Sequence, residues 1–452
     1  MKNMEKAKVV MLSLGDAQYP QDYLGHVIAE LRQEVGKMNL DLVACHTIMC
    51  GEDAQRVENE LKGKEIDLII TNFVSWHITP YIMRVLRNYR NIPLLVWGIG
   101  GTVDESGKLQ SPAAAAAITS FMPIIKELGF KYEIILEKPD ESHRYSDVEK
   151  FVHLVASAKK IKNARIGLIG YADMGLYSCA YDKKAVFKEL GVDIEDYSGL
   201  EITKMMAECP KDELDGIITD IKGSMTFENE ISDKALENVS RLYYAMKNKV
   251  EGRGLDAISI KCVHGTTSIL GFNPCLAQSL LANKDLSVIC ECDAYGLMTN
   301  IILSTITGNA SAFMENYEVY DDEVLVGVCG FIPSEFAEGA IRIRSANLGE
   351  YNYGISNVSK VKSGEVTFGR FYSEGSKFKL FLSKGMAQPN PKWTEMGWAE
   401  PTPNFPSTLL KLEIPIDKYI ENVPGQHIIM VYGDYIDQVK KVCYLLNIEV
   451  EM

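Results

Sequence analysis

The sequence predicts an α/β protein with two open, Rossmann-like layers followed by a β-rich, barrel-like C-terminal domain. Three observations predict it. Apolar β-prone runs alternate with helix-length segments over the first two-thirds of the chain, as in βαβ units on a parallel sheet. A charged helical stretch at 145–161 interrupts that alternation, which then starts again. Beyond about residue 340 the helical spacing gives way to short β-prone runs separated by Gly, Ser, Asn and Pro. The expected domains are residues 1–162, 163–335 and 336–452.

In the first layer the expected strands are 8–14, 41–47, 66–75, 93–100 and 132–137. Helical segments are expected between them at about 20–38, 53–63, 79–88 and 112–129; the last contains the Ala113–Ala117 run, a strong helix former. The second layer has candidate strands at 164–170, 192–197, 215–220 (D-G-I-I-T-D), 257–263 and 287–293. The β-rich region is carried by V-T-F-G-R-F-Y, K-F-K-L-F-L-S-K-G and S-T-L-L-K-L-E-I-P-I. An amphipathic helix, Y-I-D-Q-V-K-K-V-C-Y-L-L, and a short last strand close the chain.

Composition is that of a soluble globular protein, 46% hydrophobic and 24% charged, with a net charge of −14. That balance, without a lysine- or arginine-rich cluster, argues against nucleic acid as a partner. No run of about 18 apolar residues is present to span a membrane, and the N-terminus lacks the pattern of a secretory signal. Ten cysteines are too few for a disulfide scaffold, and their apolar settings suit a reducing cytoplasm. The C-x-C spacing of Cys290 and Cys292 has no second pair to complete a zinc site, so structural thiols are the expected reading.

The glycine clusters G-I-G-G (98–101) and G-L-I-G-Y-A-D-M-G (167–175) match neither the dinucleotide nor the P-loop pattern. They read first as turns at strand ends. The carboxyl ends of such strands also collect ligands, which keeps the second cluster, with Met174, among candidate site linings. Trp76 and His77 end an apolar run at the equivalent edge of the first layer, suited either to sugar stacking or to an ordinary aromatic pair.

The most pointed feature is V-I-C-E-C-D at 288–293 followed by F-M-E-N-Y-E at 313–318. It sets Glu291 and Glu315 24 positions apart, the first at the end of an apolar run, and an acid in or just after such a run is costly when bare. Arginine partners or helix caps would relieve that cost, and so would a divalent cation. His427, in P-G-Q-H-I-I-M-V-Y-G-D, supplies a third donor; two carboxylates and an imidazole suit Mn, Mg or Co. Strand alternation puts Asp293 on the same face as Glu291, where it would orient rather than ligate.

The segment C-E-C-D-A-Y-G-L-M-T-N-I-I-L-S-T-I-T-G-N-A-S-A-F-M-E-N resembles a stretch of the L-fucose isomerase and L-arabinose isomerase superfamily. So do I-G-L-I-G-Y-A-D-M-G-L-Y-S-C-A-Y-D (166–182), N-P-C-L-A-Q-S-L-L (273–281), G-E-V-T-F-G-R-F (364–371) and the closing N-V-P-G-Q-H-I-I-M-V-Y-G-D-Y. In order these cover roughly residues 160–452. The resemblance implies Glu291, Glu315 and His427 as metal ligands, most often for Mn²⁺, with Glu291 and Glu315 also as the acid/base pair. Trp76, His77, Met174 and Asp293 would lie near the substrate. It implies metal-dependent aldose–ketose isomerisation of a free monosaccharide through an enediolate, in a homo-oligomeric trimer or hexamer whose N-terminal domain reaches a neighbour's site.

Two departures stand out. Glu315 occupies a position where relatives often carry Asp, which keeps the charge and lengthens the arm. Val328, in Gly-Val-Cys-Gly, replaces a histidine, and losing a polar contact shifts substrate discrimination strongly. The substrate need not then be L-fucose or L-arabinose. An isomerase of an anionic sugar such as sulfoquinovose is an alternative, with Lys261, Arg342, Arg344 or Arg370 as candidate cations. A non-catalytic sugar-binding protein on the same scaffold is the alternative from another class.

Overall fold

A computed structural model describes residues 5–348, 351–375, 377–389 and 406–452. The chain divides into two compact units, one reaching to Lys160 and the other running from Ile161 to Met452.

The first unit is a five-stranded parallel sheet in the order Asp41–Ile48, Lys8–Leu14, Leu68–Phe73, Leu94–Gly98, Tyr132–Leu136. Its central strands read as continuous apolar runs because helices cover both faces. Helices Gly51–Glu60, Thr79–Leu86 and Ala114–Glu127 bury Val57, Ile82, Val85 and Phe121 against Val10, Leu12, Phe73 and Val96. The alternating strands and helices expected over this region are all present, with ends displaced by a few residues.

The second unit begins with a four-stranded parallel sheet in the order Ser287–Cys290, Ala257–Ile260, Arg165–Ile169, Asp193–Tyr197. One expected strand is corrected: 215–220 lies within the helix Lys211–Ser224. Leu214, Ile217, Ile218 and Ile221 recur at helical spacing, and Leu214 and Ile221 are the buried pair, so the period of 3.6 overrides the short apolar run. Two further strands end early. The run from 257 stops at Ile260 and turns into the π-helical segment Cys262–Leu270. The run from 287 stops at Cys290.

Helix Ala294–Thr307 is apolar on every side because it is enclosed on every side. It packs on strand Ser287–Cys290 and on two strands of the β-rich part, Gly364–Glu374 and His427–Tyr432. Those two strands belong to a six-stranded antiparallel barrel, completed by Ala312–Val319, Glu323–Gly327, Ser407–Leu412 and Lys377–Gln388. Gly364–Glu374 closes the barrel by pairing with Lys377–Gln388, and Glu449–Glu451 adds a parallel strand outside. At Gly369 a Cβ would stand 2.4 Å from the Phe381 carbonyl oxygen, so only glycine admits that approach. Strands 312–319 and 323–327 precede residue 335, so Glu315 is a barrel residue and stands apart from the layer that carries Glu291.

Candidate active site

Glu291 follows the last residue of strand Ser287–Cys290. Its backbone and that of Cys292 adopt left-handed conformations, with φ of 66° and 52°. For side chains other than glycine this costs roughly 1–3 kcal/mol per residue and persists only where surroundings enforce it. The turn ends at Asp293, which caps helix Ala294–Thr307 by accepting from the Gly296 N–H at 2.9 Å. Strand alternation therefore does not reach Asp293, and the expectation that it shares a strand face with Glu291 is corrected. The cap geometry places it instead.

The barrel supplies the other two side chains. Glu315 and His427 face one another as partners on the paired strands Ala312–Val319 and His427–Tyr432. The ligand-type atoms of Glu291, Glu315 and His427 all lie within 4.8 Å of one another. Glu291 and His427 are buried, while Glu315 keeps part of its surface open. The Glu291 Oε2 atom lies 3.2 Å from His427 Nε2, close enough for an ion pair, yet no hydrogen bond reaches it among the described residues. Burial, with repulsion from Glu291, raises the Glu315 carboxyl to about 7. Two acids crowding one another beside an orphaned buried oxygen form a donor set that a hard divalent cation would satisfy.

His427 is fixed from behind. Its Nδ1 meets Asp293 Oδ2 at 2.8 Å and its ring lies 4.4 Å from that of Phe313, centre to centre. A proton on Nδ1 donated to Asp293 leaves Nε2 directed at Glu291. Burial alone would lower this imidazole's pKa, but the hydrogen bond to Asp293, the Cys179 thiol and the adjacent Glu291 carboxylate outweigh it and raise it. Gln426 places its amide nitrogen 3.0 Å from Nε2 and accepts from the Ser178 hydroxyl at 2.8 Å.

Asp293 in turn is held by Arg370, buried with no exposed surface. The guanidinium contacts both carboxylate oxygens, one at 3.1 Å, and donates to the Ser178 carbonyl at 2.7 Å. Burial opposes the Asp293 charge, but Arg370 and His427 prevail and keep its pKa low. Cys179, Asp293 and His427 form a second close group of ligand types. The adjacent Arg370 charge disfavours a cation there.

Of the cations named as candidates for an anionic substrate, Arg370 is engaged by Asp293. Lys261 donates to Asp173 at 3.0 Å and lies over the Tyr171 ring, and Arg342 pairs with Glu228 at 2.7 Å. The backbone N–H of Asp173 donates to the Glu291 carbonyl at 3.0 Å, and Met174 follows it with a φ of 49° and a partly exposed side chain. Val328 is wholly buried, one residue past Gly327, the partner of Glu315 on the neighbouring strand. Trp76 and His77 belong to the first unit. Trp76 is partly exposed; His77 is buried between Phe73 and Tyr81, with Nδ1 3.0 Å from the Gly15 carbonyl oxygen. Burial lowers the His77 pKa and keeps it neutral. Gln426, Cys179 and Asp173 join this arrangement without having been singled out in the sequence, although each lies within a motif that carries the family resemblance, and Arg370, a candidate cation for an anionic substrate, serves Asp293 instead.

Residues 332–452 match the family model described as the L-fucose isomerase C-terminal domain. Over 410 residues the chain is 20% identical to proteins named sulfoquinovose isomerase from Priestia aryabhattai and Priestia megaterium, covering 89% of each chain. A third protein of that name, from Alkalicoccus urumqiensis, is 20% identical over 393 residues, 85% of each chain. The chain is thus similar to the L-fucose isomerase C-terminal domain at residues 332–452 and to sulfoquinovose isomerases over most of its length. All ten cysteines are free, and among the described residues no helix is long and apolar enough to cross a membrane.

Proposed function

We propose that this protein is a metal-dependent aldose–ketose isomerase of a monosaccharide, with a sulfonated hexose such as sulfoquinovose as the first candidate substrate. The observation that carries the metal reading is the convergence of Glu291, Glu315 and His427 within 4.8 Å. The names of the relatives favour the anionic sugar, while Val328, buried and apolar where family members present a histidine, speaks against the contacts that relatives make to their own sugars.

Isomerisation moves a hydrogen between C2 and C1 while O1 and O2 exchange carbonyl character. A bound divalent cation supplies Lewis acidity toward the negative charge that develops on those oxygens. Glu291 and Glu315 would hold the cation with His427, and either carboxylate, as general base, would take the C2 proton and return it to C1. Asp293 keeps the His427 proton on Nδ1, and Arg370 keeps Asp293 charged. The resemblance adds a homo-oligomer, a trimer or hexamer, which light scattering on the purified protein should read as three or six chain masses.

Treatment with EDTA should abolish turnover, and Mn²⁺ or Co²⁺ should restore it. At a Mn²⁺ concentration 100 times its Kd, the melting transition should rise by the equivalent of about 2.7 kcal/mol. A panel of sulfoquinovose, fucose, arabinose and rhamnose assayed with Mn²⁺ tests the substrate. Turnover of none of them, together with no Mn²⁺-dependent rise in melting temperature, would leave the sugar-binding alternative in its place.

A further inference from the structure

Glu291 needs more than a position in the sequence to reach the other donors, because its own backbone conformation is unfavourable. The regular ladder between strands Ala257–Ile260 and Ser287–Cys290 ends with Ile260 opposite Cys290. Past that rung, one side chain continues the connection. The Ser259 hydroxyl donates to the Ile289 carbonyl at 2.8 Å and accepts from the Cys292 N–H at 2.9 Å. Its two partners therefore bracket Cys290 and Glu291 on either side. Ser259 has no exposed surface, and its place in mid-strand fixes the hydroxyl relative to the sheet.

Three other contacts hold the same turn: a long backbone bond of 3.4 Å from the Asp293 N–H to the Cys290 carbonyl, and two from neighbouring elements. The Cys292 thiol donates to the Ile169 carbonyl at 3.1 Å, and the Asp173 N–H donates to the Glu291 carbonyl at 3.0 Å. Of these, only the long Asp293–Cys290 bond also spans Glu291, and among the described residues Ser259 is the side chain that does so. The geometry points to Ser259 as a positioning residue that holds the left-handed Glu291–Cys292 turn and so sets the affinity of the site for its cation. This rests on the metal reading of Glu291, Glu315 and His427. Without the hydroxyl, the Cys292 N–H loses its acceptor in a fully buried setting, and the turn can relax toward extended backbone. The Glu291 carboxylate would then leave the position from which it meets His427.

The test compares S259T with S259V on the full chain. These variants match in shape and differ in whether a hydroxyl remains. Mn²⁺ affinity is measured by calorimetry, and melting temperature is measured without metal. S259T should bind Mn²⁺ within about three-fold of wild type and S259V about 10–100-fold more weakly, the range expected when support behind a metal ligand is removed. S259A removes the hydroxyl without added volume and should also bind weakly, which covers the case in which the larger side chains are not accommodated. Equal affinity in S259T and S259V, or wild-type affinity in S259A, would overturn the inference. A wild-type protein that binds no Mn²⁺ would instead remove the metal reading beneath it.

Discussion

Glu291→Gln is expected to lower kcat by about 10²–10⁴-fold, the range associated with losing a positioned acid or base. The side chain keeps its shape, so the buried turn and the helix cap at Asp293 remain in place. Two functions disappear together: an anionic donor to the cation and a candidate proton carrier. Calorimetry should show weaker Mn²⁺ binding, while circular dichroism of the metal-free protein should match wild type. A variant that folds normally and keeps more than a few per cent of wild-type turnover would remove Glu291 from the chemistry.

Arg370→Met is expected to destabilise the protein by about 3–5 kcal/mol, because it leaves the Asp293 charge buried without its partner. Arg370 and Asp293 are both wholly inaccessible to solvent, and the guanidinium contacts both carboxylate oxygens. D293N in the same chain should recover part of the loss, since it removes the stranded charge. Urea unfolding of both single variants and the double variant measures that coupling. R370K would keep the charge but lose the two-pronged contact, so an intermediate effect is expected. A single R370M variant as stable as wild type would mean that His427 and the Gly296 N–H suffice to hold the Asp293 charge.

Much of the architecture was legible because it depends on local period. The strands and helices of the first layer follow from alternating apolar runs, and the barrel from clustered short strands and turn residues. The D-G-I-I-T-D segment misled because a six-residue window hides the helical spacing of Leu214 and Ile221. Glu291, Glu315 and His427 could be named from ordered motifs, but their proximity could not be read from spacing. The Glu315–His427 pairing is set by the register between two strands far apart in the chain, a non-local event with no local signature. Asp293 was read through strand alternation, which failed because the strand ends at Cys290. Arg370 reads as a surface cation by default, and nothing in its neighbourhood announces that Asp293 will meet it in the interior.

Glu315 and His427 occupy opposite ends of a single rung between antiparallel strands, while Glu291 reaches them from the layer beneath. A sheet has a two-residue side-chain repeat, so sliding either barrel strand by one position would turn one donor away from the other. Loops elsewhere in the barrel can lengthen without touching that alignment. The hydrogen-bond ladder of the barrel thus acts as the measuring scale for the chemistry, and drift in its count would erase the site while leaving every donor residue in the chain.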